Sequence, residues 1–529
     1  MLPTDLARNA DLPARDAGVA GAARVPFHAA ERLGVNPALL AHLLDEHAGA
    51  VLPRLATLWA YYRNPMEPTS SGGSAARGAG RGYRLAQERG LPPRVTGVGP
   101  GRSIAGDDRA GAANRREVVI ENDITWRVHA MVDFLISKPV RLISTAEDPA
   151  LRALIERALD AAWTASGGLA LLQDAALLGH VHGHVDLVVR TDALEAAPES
   201  APTDAPDAPA RLADLAHHAA SVRIDIADAT RGVPIVSPAD YRRLDAYVVR
   251  VSRPAGVEAG AGGESRRATV TTFEVLTPTA RQVYEDDGRG GLPRLVAEEP
   301  LAWPLGAVPV AHVQNVSQPF AYTGLSEVEP LIPLQDELNT RLSDRACRVT
   351  MQSFQMYLAR GIEGFDQFPV GPGQVWSTNN PDAQIEAFGG DGASPSEDAH
   401  VQQIREALDK TSGVPPLATG VVQARVGNLS SENALRLTLS GLLARTQRKR
   451  VLYGRGIEEA SRLILAALDA AGHLRTRPSD RGLKVLWSDP IPENALDALA
   501  AAKAKRDLGV EPDRVLAELG YGPLDPGVV

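Results

Sequence analysis

The sequence predicts an α+β protein of several domains, and three observations predict that fold class. Apolar residues recur at every third or fourth position near both ends and in the middle of the chain, which indicates long helices. Between residues 222 and 312, apolar and polar residues alternate between turns rich in Gly and Pro, which indicates strands. The length of 529 residues corresponds to roughly three or four folding units. A chain with 44% hydrophobic and 23% charged residues is globular rather than disordered or membrane-spanning.

The N-terminal part combines helices with two long polar segments. Periodic apolar residues predict helices over 29–33, 37–47, 51–62, 124–135, 149–166 and 168–180. Pro139 ends the fourth of these helices, and strands are predicted over 140–144 and 180–190. The segment 64–116, rich in Gly, Pro, Ser and Arg, predicts a long arm, and 195–209 predict a solvated insertion.

Long helices dominate the C-terminal part. One apolar stripe predicts a helix that begins after Gly324: Leu325, Val328, Ile332, Leu338, Leu342, Ala346 and Val349. Further elements are predicted as a β-rich stretch over 355–388, helices over 396–410 and 431–471, a strand over 483–487, and short helices over 495–506 and 513–519. Ser430 or Ser431 caps the helix over 431–471, and Gly454 and Gly456 predict a kink or a break within it.

Charge and motif content exclude several classes of function. A net charge of -10 disfavours a protein that grips nucleic acid over a wide basic face. None of the six lysines follows a glycine, so the Gly-Lys-Ser/Thr loop that cradles ATP phosphates is absent. The single cysteine, Cys347, excludes an intramolecular disulfide framework and a multi-cysteine zinc site. Because there is also no Gly-x-Ser-x-Gly motif, we expect no enzyme and no cofactor.

The sequence carries no recognisable targeting or membrane segment. Asp5 stands early in an N-terminus without a long apolar run, unlike a signal peptide. No stretch approaches the roughly 18 uninterrupted apolar residues needed to span a bilayer. We expect no membrane partner and assembly in the cytoplasm of the host cell.

Three histidines at alternate positions form the one candidate metal site. On a strand, His180, His182 and His184 would project from one face, as metal-binding imidazoles do. The alternative is a polar face of a strand in contact with solvent or a partner, since no Asp, Glu or Cys ligand set stands out nearby. That alternative is favoured, and no metal is expected.

The densest positive run of the chain lies on the helix over 431–471. It carries a net charge of +5 between residues 431 and 455, with candidate site residues Arg436, Arg445, Arg448, Lys449 and Arg450. These cations either face phosphates or pair with acids of neighbouring elements or subunits. In the preceding loop, Arg425 is the single charge between 411 and 431, in a position suited to transient contact with a phosphate backbone.

The order of these elements resembles that of the portal proteins of tailed double-stranded-DNA bacteriophages. The residues that carry the resemblance are Gly324, Ser326 and Val328 before the long helix, and a small-residue turn followed by Ser431, Ala434 and Leu435. The segment "WSDPIPENALDALAAAKAKRDLGVEPDRVLAELGY" is similar to the helical end of many of these proteins. The resemblance spans about residues 118–520.

The resemblance implies a ring of subunits, commonly twelve, with long stem and wing helices, a β-rich wing and clip, and a helical crown. Its implied parts are an N-terminal helical region with a Gly/Arg-rich arm (1–116), wing (117–320), stem helix (321–354), clip (355–393), second stem helix (394–412), tunnel loop (413–430), wing helix (431–470) and crown (471–529). In the tunnel loop, which approaches DNA, the implied residues are Val421, Val422, Gln423, Arg425 and Asn428. In the clip, which docks partners, they are Gly361, Phe365 and Trp376.

The implied function is a portal at one capsid vertex of the virion, through which double-stranded DNA is packaged and ejected. Its implied partners are further copies of the chain, DNA in transit, the large terminase subunit, head-completion or adaptor proteins, and the major capsid or scaffold protein. Two other functions stay open: a metal-dependent hydrolase that uses the three histidines, and a ring or scaffold protein of a capsid that conducts no DNA.

Overall fold

The structure of the chain is a computed structural model. It describes residues 36–68, 83–96, 117–197, 208–259, 265–286, 292–353, 356–360, 381–388, 394–419, 432–491, 495–510, 512, 515 and 516. The predicted helix over 29–33 and most of the predicted arm and insertion lie outside these residues. The described part of the arm is not the predicted loop: it forms strands over Met66–Pro68 and Tyr83–Leu85, a 3₁₀ turn over Ala86–Gly90 and a helix over Pro93–Thr96, and Gln87 and Val95 are buried.

The described residues form twelve α-helices. They are α1 (Pro37–Glu46), α2 (Leu52–Arg63), α3 (Pro93–Thr96), α4 (Asp123–Leu135), α5 (Pro149–Ala165), α6 (Gly168–His182), α7 (Ala208–Ala219), α8 (Ile332–Ser353), α9 (Pro395–Ser412), α10 (Glu432–Thr438), α11 (Ser440–Ala470) and α12 (Ala495–Asp507). Side chains that accept from the first backbone N–H groups begin several of them, such as Asn36 before α1, Asn122 before α4 and Asp148 before α5.

Fourteen strands form five antiparallel sheets within the described residues. They are β1 (Met66–Pro68), β2 (Tyr83–Leu85), β3 (Arg141–Ser144), β4 (His184–Arg190), β5 (Arg223–Asp228), β6 (Gly232–Ser237), β7 (Asp240–Ala259), β8 (Ser265–Leu276), β9 (Ala280–Asp286), β10 (Arg294–Pro300), β11 (Val310–Gln314), β12 (Met356–Arg360), β13 (Gln384–Phe388) and β14 (Leu483–Leu486). The largest sheet has the order β10-β9-β8-β7-β6, and a second has the order β11-β4-β5. The pairs β1-β2, β12-β13 and β14-β3 complete the set. Mixed helices and sheets confirm the predicted α+β class.

The main core is built where α11 crosses the helical layer and the β11-β4-β5 sheet. Leu159 of α5, Val128 of α4 and Ile464 of α11 are fully buried in it. A separate core joins α1 to the five-stranded sheet, where Leu40 packs against Val248 and other inward-facing residues. All five apolar residues of the stripe predicted over 124–135 are buried in α4, because the 3.6-residue period places them on one face.

Two predicted helix features are wrong. The long helix does not begin at Leu325: residues 325–328 are not helical, a 3₁₀ turn spans Glu329–Leu331, and α8 begins at Ile332. The helix over 431–471 does not break at Gly454 or Gly456, and instead breaks at Leu439, between α10 and α11. Gly456 lies against β11, where a Cβ would overlap the Val313 side chain, so close packing explains this glycine.

Candidate functional site: the paired helices and the basic helix

Helices α8 and α9 form an antiparallel pair with the β12-β13 hairpin at its tip. Charged side chains join the two helices: Arg345 pairs with Asp398 at 2.9 Å, Arg348 pairs with Glu397, and His400 Nε2 lies 3.5 Å from Glu337. Strand β12 begins at Met356, shortly after α8 ends at Ser353, and β13 ends at Phe388, before α9 begins at Pro395. The resulting unit is a pair of helices with a strand pair at one end.

The turn before α8 attaches this helix pair to the core. The Ser326 hydroxyl donates to the Val181 carbonyl at 2.6 Å and accepts from the Val328 N–H at 3.0 Å, which orders the chain just before the 3₁₀ turn. Gly324 lies against the backbone of Gly183, and a Cβ at either position would overlap the other residue's carbonyl oxygen. The Gly-x-Ser pattern of the sequence is therefore a close backbone contact followed by a serine that bonds the backbone on both sides of that contact.

A buried ion cluster connects this turn to α11. Lys449 Nζ lies 2.8 Å from Glu327 Oε1, and Arg445 Nη1 lies 3.3 Å from Glu327 Oε2. The side chains of Lys449 and Glu327 are only 5% and 8% exposed, and burial lowers the pKa of Lys449 although the Glu327 charge opposes that shift. Arg445 also donates to the Thr411 carbonyl at 2.8 Å and to the Ser412 carbonyl, so it holds the C-terminal end of α9.

The remaining predicted cations of the basic run divide into two groups. Arg436 pairs with Asp489 at 2.7 Å, and Arg450 donates to the Ser488 carbonyl at 2.6 Å. Arg448 is exposed on the outer face of α11, as is Arg455 one heptad later. Four of the five candidate cations therefore contact neighbouring elements of the same chain, and Arg448 points to solvent.

The three histidines do not share a strand, so the predicted strand over 180–190 is wrong at its start. His180 and His182 belong to the last turn of α6, Gly183 ends the helix at φ 99°, and His184 begins β4. Their surroundings differ: the rings of His180, His182 and His184 lie nearest those of Tyr453, Trp59 and His312 respectively. No group of three metal-ligating side chains in the described part of the chain could hold a metal ion. Burial lowers the pKa of all three, that of His184 to about 4.

Sequence reasoning missed a buried polar cluster centred on Asp186 of β4. Its carboxylate accepts from Tyr247 Oη at 2.7 Å and from Tyr322 Oη at 2.8 Å, and lies 2.6 Å from His312 Nδ1. Since His312 Nε2 also faces the Tyr322 carbonyl at 2.7 Å, both histidine bonds form when both ring nitrogens carry protons. The signal in the sequence is an aspartate inside the otherwise apolar run of a buried strand.

The other predicted site residues lie outside the described part of the chain. These are the tunnel-loop residues Val421, Val422, Gln423, Arg425 and Asn428 and the clip residues Gly361, Phe365 and Trp376. The described neighbours that flank them are the end of α9, the start of α10, β12 and β13. No helix among the described residues is long and apolar enough to cross a membrane.

Comparison with known proteins gives a family. The family model described as "Phage portal protein, SPP1 Gp6-like" matches residues 128–519. One similar solved structure is a chain from the virion of a native gene transfer agent particle, with 14% identity and a TM-score of 0.36 over 81% of this chain and 98% of that chain. Another, from the neck of an empty gene transfer agent particle, has 15% identity and a TM-score of 0.39 over 81% of this chain and 99% of that chain. No curated protein matches the sequence. Because the family match covers well over half of its residues, the chain belongs to the SPP1 Gp6-like family of phage portal proteins.

Proposed function

We propose that this portal protein forms a ring, commonly of twelve copies in such proteins, at one vertex of a capsid, and that double-stranded DNA passes through the ring during packaging and ejection. The observation that carries the proposal is the family match over residues 128–519. Portal proteins are structural components, so the chain is not an enzyme in this proposal. No observation favours the metal-dependent hydrolase, whose histidine strand the fold does not form.

The proposed parts follow the element order. Helices α8 and α9 are the stem, and the β12-β13 pair belongs to the clip, which docks the large terminase subunit and later the head-completion or adaptor proteins. Residues 413–430 are the tunnel loop, α11 is the wing helix, and residues 471–529 are the crown. The antiparallel helix pair with strands at its tip supports this division, as does the position of α11 across the main core.

The charge distribution supports a channel through which DNA slides rather than a protein that binds DNA tightly. Each phosphate that a protein neutralises adds salt-dependent affinity, and in a channel this affinity acts as friction. The chain has a net charge of -10, and most cations of its densest positive run are used within the fold. The cations left for DNA in this proposal are Arg425 and the exposed Arg448 and Arg455 of α11.

Negative-stain electron microscopy of the purified protein tests the ring. We expect rings with an axial hole, and a monomer at every protein concentration would contradict the proposal. Rings that assemble into capsids but never contain DNA would instead support a scaffold protein that conducts no DNA. The ring would assemble in the host cytoplasm and lie at a capsid vertex, where it would contact the major capsid or scaffold protein. Gold labelling of particles tests that position.

Charge reversal tests the tunnel loop. Arg425→Glu should leave the ring intact but reduce the DNA packaged or retained per particle, because a phosphate contact becomes a repulsion. Arg231→Glu, on the exposed turn between β5 and β6, is the matched control and should change neither quantity. An unchanged DNA yield in Arg425→Glu would remove the role proposed for that residue.

A further inference from the structure

A groove runs along the free edge of β3. Its volume is 540 Å³, and it lies between β3, helix α5 and the start of α6. Among the described strands, β3 pairs with β14 alone. The Thr145 N–H donates to Gly482 on the β14 side, whereas the Ser144 N–H donates to Glu156 Oε1 on the groove side. Because backbone groups alternate in direction along a strand, those of Leu142 face the groove, without a strand partner there among the described residues.

The groove has an apolar floor and charged walls. Trp163 and Leu172 form part of the floor and are each 7% exposed. Glu156 and Asp160 of α5 line one wall, and Arg141 of β3 lines the other. A strand laid beside β3 would therefore meet backbone hydrogen-bonding groups, an apolar surface, and charges of both signs.

A second strand edge without a partner among the described strands lies elsewhere on the chain. Strand β10 is the outermost strand of the five-stranded sheet, and almost its whole length is exposed. Its exposed apolar residues are Leu295 at 44% and Val296 at 48%. Its charges are arranged by sign, with Arg294 at one end and Glu298 and Glu299 near the other. Native proteins normally cover or blunt such an edge, since it offers a template for pairing.

We propose that β10 of one copy pairs with the free edge of β3 in the next copy of the ring. The inference rests on the ring proposed above and names one of its contacts. Leu295 and Val296 would cover the floor at Trp163. The charges are complementary: Arg294, whose side chain is 79% exposed and 3.9 Å from Glu285, suits the acidic wall. Glu299, whose side chain is 64% exposed and 3.5 Å from Arg281, suits Arg141. Because two different surfaces meet, the contact is heterologous, as a ring of more than two subunits requires.

The contact is short. Strand β3 has four residues, and a bulge between Leu295 and Ala297 interrupts the regular ladder of β10. Both features limit the pairing to a few hydrogen bonds, so it orients neighbouring subunits in addition to the other contacts of the ring. Because the pairing edge is short, it also limits strand pairing between unassembled chains.

Cross-linking tests the contact directly. Thr164 lines the groove and is exposed, so Thr164→Cys with Leu295→Cys, in a Cys347→Ala background, places thiols on both surfaces. A short bis-maleimide should give covalent dimers and larger species from assembled rings of this variant. Thr164→Cys with Leu499→Cys is the matched control, since Leu499 is 50% exposed on a different element, and should stay monomeric on a denaturing gel.

A groove-filling substitution gives a second measurement. Thr164→Trp should raise the protein concentration below which rings dissociate into subunits. We expect an increase of about tenfold or more, because the indole occupies the place of the incoming strand. Ala153→Trp, at an exposed position of the same helix outside the groove, should leave it unchanged. Intact rings that show neither the cross-link nor the Thr164→Trp effect would overturn the strand contact and leave the ring proposal standing. Failure of the unmodified chain to form rings would overturn both.

Discussion

Individual buried charges connect parts of this protein that are far apart in sequence. Glu327 precedes α8, and Lys449 and Arg445 stand more than one hundred residues later on α11. Asp186 likewise joins β4 to β7 and β11 through Tyr247 and His312. A buried charge without its partner is costly, so each pair specifies which elements lie together.

Removing the Glu327 charge should be strongly destabilising. Glu327→Gln leaves Lys449 buried without its carboxylate, and we expect a loss of about 3 kcal/mol in the free energy of unfolding, measured by urea denaturation. Glu458→Gln on the surface of α11, whose partner Arg462 lies 4.0 Å away, is the control and should cost less than about 1 kcal/mol. Equal effects of the two substitutions would contradict the role given to the buried pair.

The Asp186 cluster predicts acid sensitivity. Burial alone would raise the pKa of Asp186, but the charge and hydrogen bond of His312 and the other donors keep it below its ordinary value of 3.8. The stability that this carboxylate contributes is therefore present above pH 3.8 and is lost as the pH falls through the lower pKa of the folded state.

Thermal unfolding at several pH values tests this cluster. Asp186→Asn should lower the unfolding temperature at pH 7 and should lose less stability than the unmodified chain on acidification below pH 4, about the ordinary pKa of an aspartate. Asp174→Asn, on the exposed side of α6, should retain the original pH profile. An Asp186→Asn profile parallel to the original would show that this carboxylate does not contribute the acid sensitivity.

At the scale of elements, α11 continues without a break through two glycines. Its 31 residues run unbroken through Gly454 and Gly456 because both face neighbouring elements, Gly454 near Trp487 and Gly456 against Val313. Packing on both sides keeps the helix continuous where local propensity favours a break.

Two glycine substitutions in this helix should have opposite signs. Gly456→Ala forces a methyl group into Val313 and should destabilise by about 1–3 kcal/mol. Gly441→Ala, where a Cβ meets no atom within 4 Å, should stabilise by about 0.5–1 kcal/mol through the gain in helix propensity. Differential scanning calorimetry of both variants checks this, and stabilisation by Gly456→Ala would show that close packing does not explain that glycine.

At the scale of the whole molecule, the acidic charge predicts weak binding to DNA. The chain carries a net charge of -10 and uses Arg436, Arg445 and Lys449 in internal ion pairs. We expect purified rings to bind linear double-stranded DNA with a Kd weaker than about 10⁻⁶ M at physiological salt, as measured by fluorescence anisotropy. Nanomolar binding with a steep dependence on salt would contradict a low-friction channel.

The sequence predicted most elements because their signals are local. The apolar stripe of α4, the polar caps and the alternating residues of the sheet depend on neighbours within a few positions, and their helices and strands were found close to the predicted bounds. The same reasoning was wrong for the histidines, because Gly183, which ends α6, lies inside the predicted alternating strand. The tunnel-loop and clip assignments stay predictions.

What the sequence determined by itself was the α+β class, the order of the elements and, through that order, the portal family that the profile match confirms. Only the tertiary structure decided which charges are partners. A cation and an acid more than one hundred residues apart, such as Lys449 and Glu327, leave no periodic signal, because the chain must fold before either is buried. For the same reason, only the fold distinguished the internal Arg445 from the exposed Arg448, and only the fold showed that β3 and β10 each have one edge without a partner among the described strands.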